Sequence, residues 1–190
     1  MSKANPKHLA YVGKAPNSDR DSDSWYTPAK YMDSARRAIG AFDLDPFSSA
    51  FANETAMAAR IITEEQDAFT TSWETHGGAV WMNPPYGRGI AGAACAEFIA
   101  QYKAGAFNRG IVLVNNATET KWFQLLLTEA RAICLTDHRI AFVSPDGKHV
   151  SGNTRGQTFF LFNRHKRNAV TNRFFAEFAE HGTCLKVGAV

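Results

Sequence analysis

The chain has 190 residues, with 21 Lys plus Arg against 18 Asp plus Glu (net charge +3), 45% hydrophobic and 12% aromatic residues. Those values suit one domain and exclude intrinsic disorder, collagen-like and low-complexity architectures. The longest apolar runs, Ile111 to Val114 and Phe159 to Phe162, fall far short of the ~20 residues that span a bilayer. Cys95, Cys134 and Cys184 are scattered and form no Cys-x-x-Cys pair, which argues against a disulfide framework and a cysteine zinc site.

Residues 1–24 read as a tail rich in Ser, Asp, Asn and Pro, with no apolar signal core; a cytoplasmic protein is the expectation. From Trp25 onward one domain, 25–190, is expected. Ala29 to Ile39 reads as a helix stopped by Gly40. Phe42 to Asp45, Arg60 to Thr63 and Ala79 to Met82 read as short strands. Ile90 to Lys103 is Ala-rich and helical. Ile111 to Asn115 is the clearest buried strand, because an unbroken aliphatic run suits a strand covered on both faces. A helix over Lys121 to Ala132, strands over Ile133 to Thr136 and Thr158 to Phe162, a helix over Asn172 to His181 and a strand over Cys184 to Val187 complete the chain. Short strands alternating with helices predict an α/β fold with a mostly parallel central sheet and helices on both faces. In such sheets ligands bind beyond the carboxyl ends of the strands, at the switch point in strand order.

The sharpest feature follows the third strand: Val80-Trp81-Met82-Asn83-Pro84-Pro85-Tyr86. Two prolines fix the backbone and remove two donors, so the carbonyls of Asn83 and Pro84 have no neighbouring N–H competing for what they accept. Asn83 adds a side-chain acceptor, and Tyr86 offers a flat face. An acceptor cradle beside a stacking platform suits a planar exocyclic amino group.

Asn-Pro-Pro-Tyr after a strand resembles the catalytic motif of S-adenosylmethionine-dependent methyltransferases that modify amino nitrogens. The ordered set Trp25-Tyr26-Thr27-Pro28, Leu44-Asp45-Pro46, Asp67-Ala68-Phe69 with Trp73, Trp81 to Tyr86, Val112 to Val114, Thr118 to Phe123 and Arg139 to Phe142 is similar to the short phage and prophage DNA adenine-N6 methyltransferases of the Dam type. The resemblance implies a Rossmann-like methyltransferase fold and methyl transfer from S-adenosylmethionine to adenine in double-stranded DNA. It also implies protection of phage DNA from host restriction. Asn83, Pro84, Pro85 and Tyr86 would be catalytic, with Tyr86 stacking through its ring on a flipped-out base. Trp25, Tyr26, Thr27 and Pro28, the turn Asp45-Pro46-Phe47-Ser48, the pair Asp67-Ala68, and Asn83 would hold the cofactor. Ser48 and Ser49 stand where the wider class carries glycine, and either Glu64 or Glu65 would reach the cofactor ribose.

For DNA, the expected contacts are Lys121, Trp122, Arg139, Lys148 and Arg155, the last two on a Gly-rich loop from Ser144 to Gln157. His138 precedes Arg139 where the family pattern places Gly. A chain of this length has no room for a separate target-recognition domain, so a short or relaxed recognition sequence is expected. Two other readings remain at this point. One is a methyltransferase of RNA or of protein glutamine; the other is a silent DNA-binding relic of the same fold.

Overall fold

The computed structural model describes residues 26–87, 89–144, 148, 154–165 and 168–188. Trp25, the 1–24 tail and most of the 145–153 loop, with Gly147, His149 and Gly152, lie outside them. Within the described residues are strands β1 (Leu44–Asp45), β2 (Arg60–Ile61), β3 (Ala79–Met82), β4 (Arg109–Asn115), β5 (Ala132–Thr136), β6 (Gln157–Asn163) and β7 (Gly182–Lys186). The helices are α1 (Ala29–Ile39), α2 (Ala50–Ala56), α3 (Ile90–Ala104), α4 (Lys121–Glu129) and α5 (Ala169–Phe178), with a 3-10 turn at Glu64–Gln66.

All seven strands form one sheet in the order β2-β1-β3-β4-β6-β5-β7. The pairings β1–β2, β1–β3 and β3–β4 are parallel, whereas β4–β6, β5–β6 and β5–β7 are antiparallel. The architecture is Rossmann-like: the chain leaves β1 toward β2 on one side and returns to β3 on the other, which creates the switch point. Five of the seven strands, β1 to β5, run in one direction, as the mostly parallel expectation requires, and β6 and β7 run against them. β6, Gln157-Thr-Phe-Phe-Leu-Phe-Asn163, is buried at every residue, and a strand covered on both faces carries no pattern that reveals its direction.

Alternation sorts side chains onto two faces. Val80, Met82, Val112, Val114, Phe160 and Phe162 join Cys95, Phe98, Phe123 and Leu126 beneath α3 and α4. Trp81, Ile111, Leu113, Phe159 and Leu161 join Tyr31, Met32, Ala35, Phe174 and Phe178 beneath α1 and α5. Gly40 ends α1 at φ 92°, a left-handed conformation that L side chains resist. Thr120 caps α4 by accepting from Phe123 N at 3.3 Å. The short helix α2 has no counterpart in the sequence reading; Ser49 caps it, accepting from Ala52 N at 3.1 Å.

Three arginines are committed to the fold. Arg36 donates to the Thr55 and Ala56 carbonyls at 2.8 Å each, Arg37 pairs with Glu177 at 2.5 Å, and Arg164 donates to the Tyr102 and Lys103 carbonyls.

Cys134 and Cys184 lie directly opposite each other across β5 and β7. Their contact, with burial, raises the Cys134 pKa, and Cys184 is lowered by the hydrogen bond it receives. Cys95 is buried, and burial alone pushes its thiol up. Alkylation of native protein with a maleimide is therefore expected to modify Cys184 first, and Cys95 and Cys134 only on unfolding. Peptide mapping by mass spectrometry reads this directly; labelling of Cys95 at the same rate would contradict it.

Candidate active site

The carboxyl ends of β1 and β3 open into a cavity of about 400 Å³, within the size range of small-molecule and cofactor sites. It is lined by Asn83, Pro84, Pro85 and Tyr86 after β3 and by Asp45, Pro46, Phe47, Ser48 and Ser49 at the end of β1. Tyr26 and Thr27 line it too, as do Ile62, Glu64, Glu65 and Ala68. Residues drawn from four separate stretches of sequence thus meet in one place. Pro28 is the N-cap of α1 and does not line the cavity. Trp81, Met32 and Thr63 also line it; Trp81 opens the motif at the end of the third strand, whereas Met32 inside the first helix and Thr63 at the end of the second expected strand carry no signal of a site.

Asp45 is 4% exposed at the end of β1. Burial pushes its carboxyl up to about 7 from an ordinary 3.8, against the opposing pull of Ser48 and the Phe47 N–H, which donates to Oδ1 at 3.3 Å. As pH rises from about 4 to about 7, the unfolded chain releases this proton and the folded chain keeps it, so the group's contribution to stability falls across that window. Asp45→Asn is expected to flatten this part of the pH–stability curve and to raise Tm at about pH 8. Calorimetry on both proteins checks it; parallel pH curves would contradict it. The buried Ser48 hydroxyl makes no hydrogen bond of good geometry, although it lies near enough to Asp45 to favour its ionised form.

Both Glu64 and Glu65 reach the cavity from the 3-10 turn. Hydrogen bonding to Thr63 holds the Glu65 carboxyl below its ordinary value. Asp67 does not line the cavity: it is 7% exposed, sits at φ 56°, and its Oδ1 accepts from Phe69 N at 3.0 Å. Ala68, next to it, does line the cavity.

The Asn83 amide is held at both ends. Tyr86 Oη donates to Asn83 Oδ1 at 3.0 Å, and Asn83 Nδ2 donates to Thr27 Oγ1 at 3.3 Å. Burial raises the Tyr86 phenol, so it remains a donor at any physiological pH. This hydroxyl contact amends the ring-only expectation for Tyr86. Tyr86→Phe removes the donor to Oδ1, and turnover is expected to fall by about 3–20-fold, the cost of one neutral hydrogen bond. Unchanged turnover in steady-state assays would restore the ring-only account.

Three of the basic residues expected to meet DNA flank strand ends at one edge of the sheet. Lys121 opens α4 after β4, Arg139 follows β5, and Arg155 precedes β6, whose antiparallel course starts it at the same edge. All three are exposed, as is Lys148, whose carbonyl accepts from Ser144 N at 2.9 Å. Trp122 differs: it is half-buried and packs toward Gly92 of α3. His138 ties the Arg139 turn to α1, sharing a 2.6 Å hydrogen bond with the Tyr31 hydroxyl while its Nδ1 meets Asp137 at 2.5 Å.

A protein-family model described as DNA N-6-adenine-methyltransferase (Dam) matches residues 14–183. No curated protein and no solved structure matches the chain. The family match covers every element that builds the cavity, and the chain therefore belongs to the DNA N-6-adenine-methyltransferase (Dam) family, enzymes that methylate the N6 position of adenine in DNA.

Proposed function

We propose that this chain transfers a methyl group from S-adenosylmethionine to the N6 amino group of an adenine flipped out of duplex DNA, with a short or relaxed recognition sequence. The observation that carries the reading is one cavity lined both by Asn83, Pro84 and Tyr86 and by the Asp45–Ser49 turn.

The residues present fit the cofactor. Asp45 offers a buried acid for a cationic group, the Ser48 hydroxyl is available in the same wall, and Glu64 or Glu65 suits ribose hydroxyls. Phe47, Ile62 and Ala68 supply apolar surface for an adenine ring. S-adenosylmethionine would supply a methyl group activated by its sulfonium, leaving a neutral thioether as the C–S bond breaks, and the methylated nitrogen would lose one of its two protons to water.

The chain's own residues deal with the target amine. Its lone pair is conjugated with the purine ring, which makes it a poor nucleophile. Accepting its two hydrogens at Asn83 Oδ1 and the Pro84 carbonyl favours a pyramidal nitrogen with a localised pair. The same acceptors stabilise the positive charge that grows on nitrogen in the transition state, and they are fixed beforehand. The Tyr86 ring stacks on the base, which must leave the helix to enter the site. Lys121, Arg139, Lys148 and Arg155 bear on the phosphate backbone around the opening, a contact that is strongly salt-dependent.

The test is methylation of plasmid DNA free of N6-methyladenine by purified protein, read by sequencing for modified bases. Modified adenines in a defined short context, or in many contexts, support the reading. Absence of methyl transfer to DNA, or transfer to RNA or protein instead, would overturn it.

A further inference from the structure

We infer that Thr27 is a positioning residue for this reaction: its hydroxyl holds the Asn83 amide so that Oδ1, and not Nδ2, faces the target amine. The inference rests on the functional reading above and assigns Thr27 a role other than contact with the cofactor.

An asparagine amide has nearly the same shape in its two flipped orientations, but opposite hydrogen-bonding character at each end. Turned one way, Asn83 presents an acceptor to an amino group. Turned the other way, it presents a donor, so that N–H faces N–H and the lone pair gains nothing. The direction is therefore worth fixing. Tyr86 Oη donates to Oδ1 at 3.0 Å, and Thr27 Oγ1 receives Nδ2 at 3.3 Å on the far side. An amide oxygen has two lone pairs, so Oδ1 can accept from Tyr86 and from an amine together.

Thr27 is well placed to act as the fixed partner. It is 7% exposed. Its backbone is restrained on both sides: Tyr26 and Val143 exchange two backbone hydrogen bonds at 2.9 Å each, and Pro28 caps α1, with its carbonyl accepting from Tyr31 N at 3.1 Å. A hydroxyl carried on such a short, doubly anchored segment loses little entropy in making the contact. The Tyr26–Val143 bridge also joins this segment to the stretch that follows β5 and carries Arg139, so the backbone that holds Thr27 is braced from outside its own helix.

The experiment compares Thr27→Val, which keeps the shape and removes the acceptor, with Thr27→Ser, which keeps the hydroxyl. Thr27→Val is expected to lower the single-turnover rate of methyl transfer to duplex DNA by roughly 10–100-fold, the cost of leaving a buried polar partner unsatisfied. The dissociation constant for S-adenosylmethionine, measured by calorimetry, is expected to stay within about twofold of wild type, and Thr27→Ser is expected to recover most of the rate. In ¹⁵N spectra the Asn83 side-chain NH₂ signals, identified by their loss in Asn83→Asp, are expected to shift and exchange faster in Thr27→Val. Weakened cofactor binding with an unchanged rate would make Thr27 a cofactor contact and overturn the inference. So would Asn83 signals unmoved by Thr27→Val. A wild-type protein that methylates no DNA would overturn the functional reading instead, and the NH₂ signals would still decide whether Thr27 holds Asn83.

Discussion

Asn83→Ala is expected to lower methyl transfer by about 10²–10³-fold, the scale of losing one preorganised electrostatic partner of a transition state. Cofactor affinity is expected to change by less than about tenfold, since at most one neutral hydrogen bond to the cofactor goes with the side chain. The asymmetry follows from where charge develops. The target nitrogen is neutral when it enters the site and cationic as it is methylated, so an acceptor beside it is worth far more in the transition state than in the ground state. Asn83→Asp, which keeps an acceptor oxygen but loses the Nδ2 donor to Thr27, should retain more activity than the alanine variant. Rates and calorimetric affinities on the three proteins separate the effects. Near-normal turnover in Asn83→Ala would remove Asn83 from the reaction.

The largest expected stability loss lies elsewhere. Phe98→Ala is expected to cost about 3–5 kcal/mol, as aromatic truncation in a core does when the walls cannot collapse. Phe98 on α3 is 0% exposed, with ring centroids at 4.9 Å from both Phe107 and Phe162 and at 6.3 Å from Trp73. It also covers Gly110 of β4, where a Cβ would come within 2.6 Å of its ring. Those partners belong to β4, β6 and two loops, which other contacts fix, so the void cannot close. Denaturant titration should show a lower midpoint with an unchanged slope. A loss below about 1 kcal/mol would mean the neighbours repack.

Much of this was legible in the sequence, and for physical reasons. α1 was read with its observed ends, Ala29 and Ile39, because a glycine with positive φ marks where a helix must stop. The β3 strand and the motif after it were visible because Pro-Pro is a backbone statement as well as a chemical one. The edges of β4 and β6 extend past the expected ends: Arg109, Gly110, Gln157 and Asn163 belong to strands, yet charged, glycine and amide residues carry little β signal. Helix α5 starts at Ala169, three residues before the expected Asn172; Asn168 at its N-cap is a residue type that signals a start, although its side chain makes no capping hydrogen bond. Within the cavity, Asp45, Ser48, Ala68 and Tyr86 were expected together and line one space. The contact of Thr27 with Asn83 was not legible. A hydrogen bond between residues 56 positions apart depends on how the sheet closes, and residue types alone do not encode it.

The position of β6 has a consequence for how the chain emerges during synthesis. β1 to β4 are adjacent in space and finish by Asn115, but β4 and β5 are each hydrogen-bonded to β6, which begins only at Gln157. Until that strand leaves the ribosome, the apolar edge of β4 has no partner and β5 has nothing to join. The nascent chain therefore carries an open, aliphatic strand edge for the time needed to make more than forty further residues, the kind of edge that pairs with other chains. Closure of the sheet is a late, long-range event, and a nascent-chain factor that shields strand edges would act on this interval more than on the finished protein.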